Sequence, residues 1–154
     1  MGGEDLEQLL IGLEPQCRRK EHTDRTAVDV PVVVLESFMR RLHDDGRLAF
    51  DMLLDHTAID HFAENRFELV YHLYSTTHGH SLLVTCDLER HRPVAPTVSG
   101  VWPIAHWQER EVFDLFGIGY EGHADLRRVF LEDHWQGHPL RKDYADADML
   151  EFGR

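Results

Sequence analysis

Apolar positions in this chain come in two spacings, and the change from one to the other lays out the elements. Leu6, Leu9, Leu10 and Leu13 recur at helical spacing within residues 4–14. Glu4 and Asp5 suit the positive end of such a helix, and Pro15 stops it. Residues 16–25 are polar and carry no pattern; a short strand is read over 27–30. Pro31 fits the start of a second helix, where its missing N–H costs nothing. Leu35, Phe38, Met39 and Leu42 then follow the i, i+3, i+4, i+7 pattern, and Asp44-Asp45-Gly46 closes the helix. From Leu48 the spacing drops to two. Leu48, Phe50, Met52 and Leu54 alternate with Ala49, Asp51 and Leu53, which predicts a strand. Phe67, Leu69, Tyr71 and Leu73 make a clearer one. The loop at 75–80 is a longer hairpin connection, and Leu82, Val84, Cys86 and Leu88 form the return strand. Three such strands make a meander with one buried face.

Residues 90–103 hold Pro93, Pro96 and Pro103, half of the 6 prolines, and read as a crossing loop. Residues 104–116 predict a third helix. Ala105, Val112, Phe113 and Phe116 lie on one side, Gln108, Glu109 and Glu111 on the other, and Gly117 is placed as its C-cap. Periodicity ends there. The expected fold is α+β: a small mixed or antiparallel sheet with helices packed on it, and an extended irregular C-terminal tail. Residues 1–116 are read as the core domain and 117–154 as a segment packing on partner subunits.

The 154 residues fit one domain, large enough to build a core without staples. A formal net charge of −12 argues against a general nucleic-acid binder or adsorption to anionic lipid. Cys17 and Cys86 share no metal-type spacing, and Cys86 reads as a small core residue. No run approaches the roughly 18 apolar residues of a membrane helix. The first residues lack a basic start and an apolar signal core, so a reducing cytoplasm is the expected setting.

Twelve histidines raise the question of a metal. His78 and His80 with His72 could chelate, but no Cys-x-x-Cys or His-Glu-x-x-His frame supports them, and a polar turn is the favoured reading. His43, His56, His61 and His91 flank loops or helix ends and are read as surface residues. A metal-dependent hydrolase using His123 and His138 as bases, with Asp125, Asp133 or Asp143 as orienters, lacks both a nucleophile elbow and a metal scaffold. Arg110 and Asp114 stand at i, i+4 and are expected to pair. Arg127-Arg128 and Arg141-Lys142 are two cation pairs suited to carboxylates of a partner or of the domain's own loops. No Gly-rich phosphate loop accompanies them.

The stretches Arg66-Phe67-Glu68-Leu69-Val70-Tyr71-His72-Leu73-Tyr74-Ser75, Trp102-Pro103-Ile104-Ala105-His106-Trp107-Gln108-Glu109-Arg110-Glu111, Asp114-Leu115-Phe116-Gly117-Ile118 and the two Gly-His segments at 122–123 and 137–138 are specific when taken together. Over about residues 48–144 the chain resembles the C subunit (J in the chloroplast type) of proton-pumping NADH-quinone oxidoreductase, respiratory complex I. It departs from that pattern at Ala124 and Ala145, where prolines are expected, and at His134, where an Asp is expected. The resemblance implies a non-catalytic, cofactor-free subunit of the peripheral arm. Its partners would be the large quinone-site subunit and the iron-sulfur subunits, which with others hold the iron-sulfur clusters, flavin and quinone. It would lie on the cytoplasmic side of the cell membrane without spanning it. A corresponding subunit of a membrane-bound hydrogenase or ferredoxin-linked dehydrogenase is the alternative. The residues expected at partner interfaces are Glu109, Arg110, Glu111, Asp114, His123, Arg127, Arg128, His138, Arg141 and Lys142.

Overall fold

The computed structural model describes residues 2–146. Helix α1 (Gly3–Leu13) is followed by β1 (Arg18–Arg19), β2 (Ala27–Asp29) and α2 (Val32–Asp44). Then come the long strands β3 (Met52–His61), β4 (Arg66–Tyr74) and β5 (Ser81–Glu89). The short strand β6 (Val94–Pro96), α3 (Ala105–Phe116) and β7 (Gly119–Glu121) complete the regular structure. The main sheet has the order β1-β2-β5-β4-β3. Strands β3, β4 and β5 are the expected antiparallel meander, β2 joins β5 in parallel, and β1 pairs antiparallel with β2. A separate parallel pair joins β6 to β7, so the loop read over 90–103 contains a strand.

The α+β expectation holds because the alternation in β4 and β5 is in phase. Phe67 faces Leu88, Leu69 faces Cys86, Tyr71 faces Val84 and Leu73 faces Leu82. All eight side chains are buried. Helices cover that face with Leu6 and Leu10 from α1, Leu35, Phe38, Met39 and Leu42 from α2, and Ala105, Val112 and Phe116 from α3. Each large side chain fully withdrawn from water contributes roughly 1.5–3 kcal/mol. Cys86 belongs to this core, where burial pushes its thiol up to about 12. The core also runs past Phe116, through Ile118 and Tyr120.

The strand read from Leu48 starts four residues later. Leu48 and Phe50 are buried, but in a turn: Ala49 has φ 45°, and the Phe50 N–H donates to Leu42 O at 3.0 Å. A left-handed kink puts both apolar side chains inside without a strand. Within β3 the register shifts between Leu53 and Asp55. This bulge moves Met52 and Leu54 to the outside and turns His56, Ala58 and Asp60 inward. His56 is therefore no surface residue; it is 2% exposed. His61 is half-buried on the same strand, and His91 is exposed as expected.

His78 and His80 act as pins. Their Nε2 atoms meet Gly46 O at 2.8 Å and Leu48 O at 3.0 Å, fastening the hairpin tip to the kink before β3. Among the described residues no group of three or more His, Cys, Asp or Glu is placed to hold a metal ion, and no helix is long and apolar enough to cross a membrane.

Candidate functional site

Helix α3 ends with four carbonyls that its own backbone cannot satisfy, and the sequence after it supplies their partners. Phe113 O accepts from the Gly117 N–H at 2.8 Å, with Gly117 at φ 74° as C-cap. Asp114 O accepts from Arg128 Nη1 and from His138 Nδ1, both at 2.9 Å. Leu115 O accepts from the Leu140 N–H at 2.9 Å, and Phe116 O from Arg141 Nε at 2.5 Å. Two arginines at the negative end of the helix dipole are electrostatically favoured there. The segment after β7 is therefore the cap of α3, not a free tail. Glycine at 117 is required sterically as well: a Cβ would come within 2.5 Å of His138 Cδ2.

Asp114 is the hub. Its carboxyl is fully buried, and Oδ2 accepts the N–H groups of Val129 (3.1 Å), Phe130 (2.8 Å) and Leu131 (3.1 Å). Oδ1 pairs with Arg128 Nη1 at 2.9 Å. Burial pushes this carboxyl up, but Arg128 and the three N–H groups outweigh it and hold it below the usual carboxylate range. Arg128 Nη2 reaches on to Trp135 O and Gly137 O, both at 2.9 Å. The expected Arg110–Asp114 pair is thus replaced. Arg110 instead donates to Arg127 O and Arg128 O at 3.1 Å and lies 4.8 Å over the Trp107 ring.

A second fastening lies at the far end of the segment. Arg90 is 7% exposed, sits between the Phe62 and Phe67 rings, and bridges Asp60 on β3 to Asp143, the latter at 2.7 Å. Asp60 also accepts the Lys142 N–H at 2.8 Å, and Arg141 lies 5.1 Å over Phe67. Spacing along the chain does not single out Asp60 or Arg90. The inward phase of β3 marks Asp60, but only once the bulge is known.

The third group lies under α3. Glu109, expected on the outer side of the helix, is 0% exposed; Oε1 accepts the Val98 N–H at 2.7 Å and Oε2 the Thr97 hydroxyl at 2.5 Å. His123 Nε2 donates to His106 O at 3.0 Å, and His123 Nδ1 accepts the Asp125 N–H at 3.0 Å. Of the ten residues named from the sequence, Glu111, Arg127 and Lys142 are exposed, and the other seven are buried or half-buried in these internal bonds. Around them the molecule exposes large apolar side chains: Trp107 at 56%, Phe130 at 65%, Leu140 at 51% and Ile104 at 49%.

A family model described as the respiratory-chain NADH dehydrogenase 30 kDa subunit matches residues 28–148. The chain belongs to this family. It is 39% identical over 137 residues to the C subunit of NADH-quinone oxidoreductase from Moorella thermoacetica, covering 89% of this chain and 91% of that one. To the C subunit of the Acidithiobacillus ferrooxidans enzyme it is 43% identical, over 97% of this chain and 78% of the relative. It spans only 65% of a second C subunit from Rhizobium meliloti, at 44% identity. Among solved structures, a chain of the archaeal membrane-bound sulfane sulfur reductase, a respiratory membrane complex, superposes with a TM-score of 0.81 at 28% identity, over 93% of this chain and 85% of that one. A trypsin-resistant fragment of Nqo5 superposes with a TM-score of 0.68 at 28% identity, over 79% of this chain and 98% of the fragment. The 30 kDa family thus accounts for the elements from β2 through the capping segment.

Proposed function

We propose that this chain is the cofactor-free C subunit of a proton-pumping NADH-quinone oxidoreductase. In this reading it is a peripheral-arm scaffold on the cytoplasmic side of the membrane, supporting electron transfer from NADH through iron-sulfur centres to quinone. Its neighbours would be the large quinone-site subunit and iron-sulfur subunits. In the same reading residues 1–116 are the folding core and the segment from 117 lies against those neighbours; residues 147–154 of that expected segment fall outside the described structure. One observation carries the reading. Asp114 and Arg128 are engaged inside the chain through both ends of their side chains, and His138 and Arg141 each cap a carbonyl of α3, which supports a role in shaping a surface. Trp107, Phe130 and Leu140 are left outward on that surface beside Arg127 and Lys142. Exposed aromatic residues next to Arg are typical of interface centres.

Tagged chain purified from its own membranes should bring down a flavin- and iron-sulfur-containing NADH dehydrogenase. Recovery of the chain without these subunits would overturn the proposal. The likeness to the sulfane sulfur reductase chain supports a second reading, a corresponding subunit of a related membrane-bound complex with another donor or acceptor. Assay of the same preparation with NADH, reduced ferredoxin and quinone separates the two.

A further inference from the structure

We propose that Glu109 is a buried proton-binding site, held as the neutral acid inside the fold and discharged to solvent past His123 and His106. Its carboxyl is fully buried, and among the described residues no Lys or Arg forms an ion pair with it. The neighbouring Arg110 is turned to the carbonyls of Arg127 and Arg128. A buried carboxylate without a counter-charge is strongly disfavoured against its acid form.

The groups around it come from every packed element. From α3 itself comes His106, and from the loop after β6 come Thr97 and Ser99. From β4 comes Tyr71, whose buried hydroxyl has no hydrogen-bond partner among the described residues. From β7 comes Tyr120, bonded to His56 Nε2 of β3 at 2.6 Å. After β7 comes His123, whose Nε2 is 3.9 Å from Glu109 Oε2. None of them is a Lys or an Arg. Both ring nitrogens of His123 are engaged, Nε2 with His106 O and Nδ1 with the Asp125 N–H. The bonds fit the acid form well. With the proton on Oε2, Glu109 donates to Thr97 Oγ1, and the Thr97 hydroxyl donates to Ser99 Oγ, 2.8 Å away. Burial is the largest influence on this carboxyl and pushes it up to about 7, while the bonds from Thr97 and Val98 pull the other way.

Discharge is a simple dissociation: the O–H bond at Oε2 opens and the proton passes to water. The His123 ring is stacked on that of the partly exposed His106 at 4.6 Å, which marks the side toward solvent. His123 therefore stands between Glu109 and the Asp125 N–H that its Nδ1 accepts. The proton site thus borders the turn that begins the capping segment.

Infrared spectra of the full chain test the site. A protonated-carboxyl band present at pH 6, fading by pH 8.5 and missing from E109Q is expected. No such band at pH 6, or one unchanged at pH 8.5, would overturn the proposal. Melting gives a second readout. Gln reproduces the acid's bonds, so E109Q should gain on the wild type by roughly 5 °C between pH 5.5 and pH 8. The difference between the two proteins is the quantity to read, because His56, held low by burial, changes stability with the opposite sign as pH falls below 6.5. If E109Q does not fold, carbon NMR of glutamate-labelled wild type decides. One carboxyl titrating near pH 7 supports the site, and all glutamates titrating below pH 5.5 overturn it. These measurements need no partner subunit, so their outcome is independent of the proposed assembly.

Discussion

At the residue scale, Arg110 and Asp114 are tied into bonds within the chain, and that changes what mutation of their partners should do. Arg128→Ala leaves the Asp114 carboxylate buried without its ion pair, so the isolated chain should lose roughly 3–5 kcal/mol in urea unfolding. An unchanged midpoint would show that Arg128 matters only to a partner. His56 offers a pH test. Burial pushes its imidazole from 6.5 down to about 4, so the folded state favours the neutral ring. Its contribution is complete above the unfolded value of 6.5 and is lost as pH falls toward 4. Asp114, held low, adds a further loss as pH drops through the carboxylate range. His56→Gln should flatten the upper part of this acid limb in thermal melts. An unaltered limb would assign the effect elsewhere.

At the element scale, α3 and the segment after β7 behave as one unit, because each satisfies the other's backbone. Gly117→Ala brings a Cβ within 2.5 Å of His138 at a left-handed φ of 74°. A loss of about 1–3 kcal/mol is expected. The damage should spread along the chain. Hydrogen exchange at Val129, Phe130 and Leu131, whose N–H groups donate to Asp114, should quicken while β4 and β5 keep their protection. Uniform quickening would mean that the cap and the sheet open together. The second fastening can be cut separately. Asp60→Ala removes the acceptor for both Arg90 and the Lys142 N–H, and limited proteolysis should then cut first after residue 121.

At the scale of the whole molecule, burial separates what holds the chain together from what it offers to others. Trp107 and Phe130 are more than half exposed. Phe130→Asp should shift the isolated chain's stability by no more than about 0.5 kcal/mol, as surface changes usually do, and Trp107→Ser by about 0.5–2 kcal/mol because Arg110 lies over its ring. The same changes should sharply lower the amount of assembled complex recovered from membranes. Normal assembly with lost turnover would argue against a scaffold role.

The helices, the three-strand meander and the C-cap at Gly117 were legible in the sequence, because hydrophobic period and turn chemistry are local properties. The family was legible too, since its motifs lie in contiguous stretches. The phase of β3 was not legible. Leu48 and Phe50 keep a period of two through a kink that only tertiary packing makes favourable, and a bulge then reverses which side of the strand is inside. The roles of the charged residues were equally hidden. Spacing paired Arg110 with Asp114 and put Glu109 on the outer side of its helix. The fold paired Asp114 with Arg128 fourteen residues on, and Asp60 with Arg90 thirty residues on. Sequence patterning records which residues prefer to leave water. Where a buried charge finds its partner depends on chain segments brought together only when the core has formed, and that was decided by the tertiary structure.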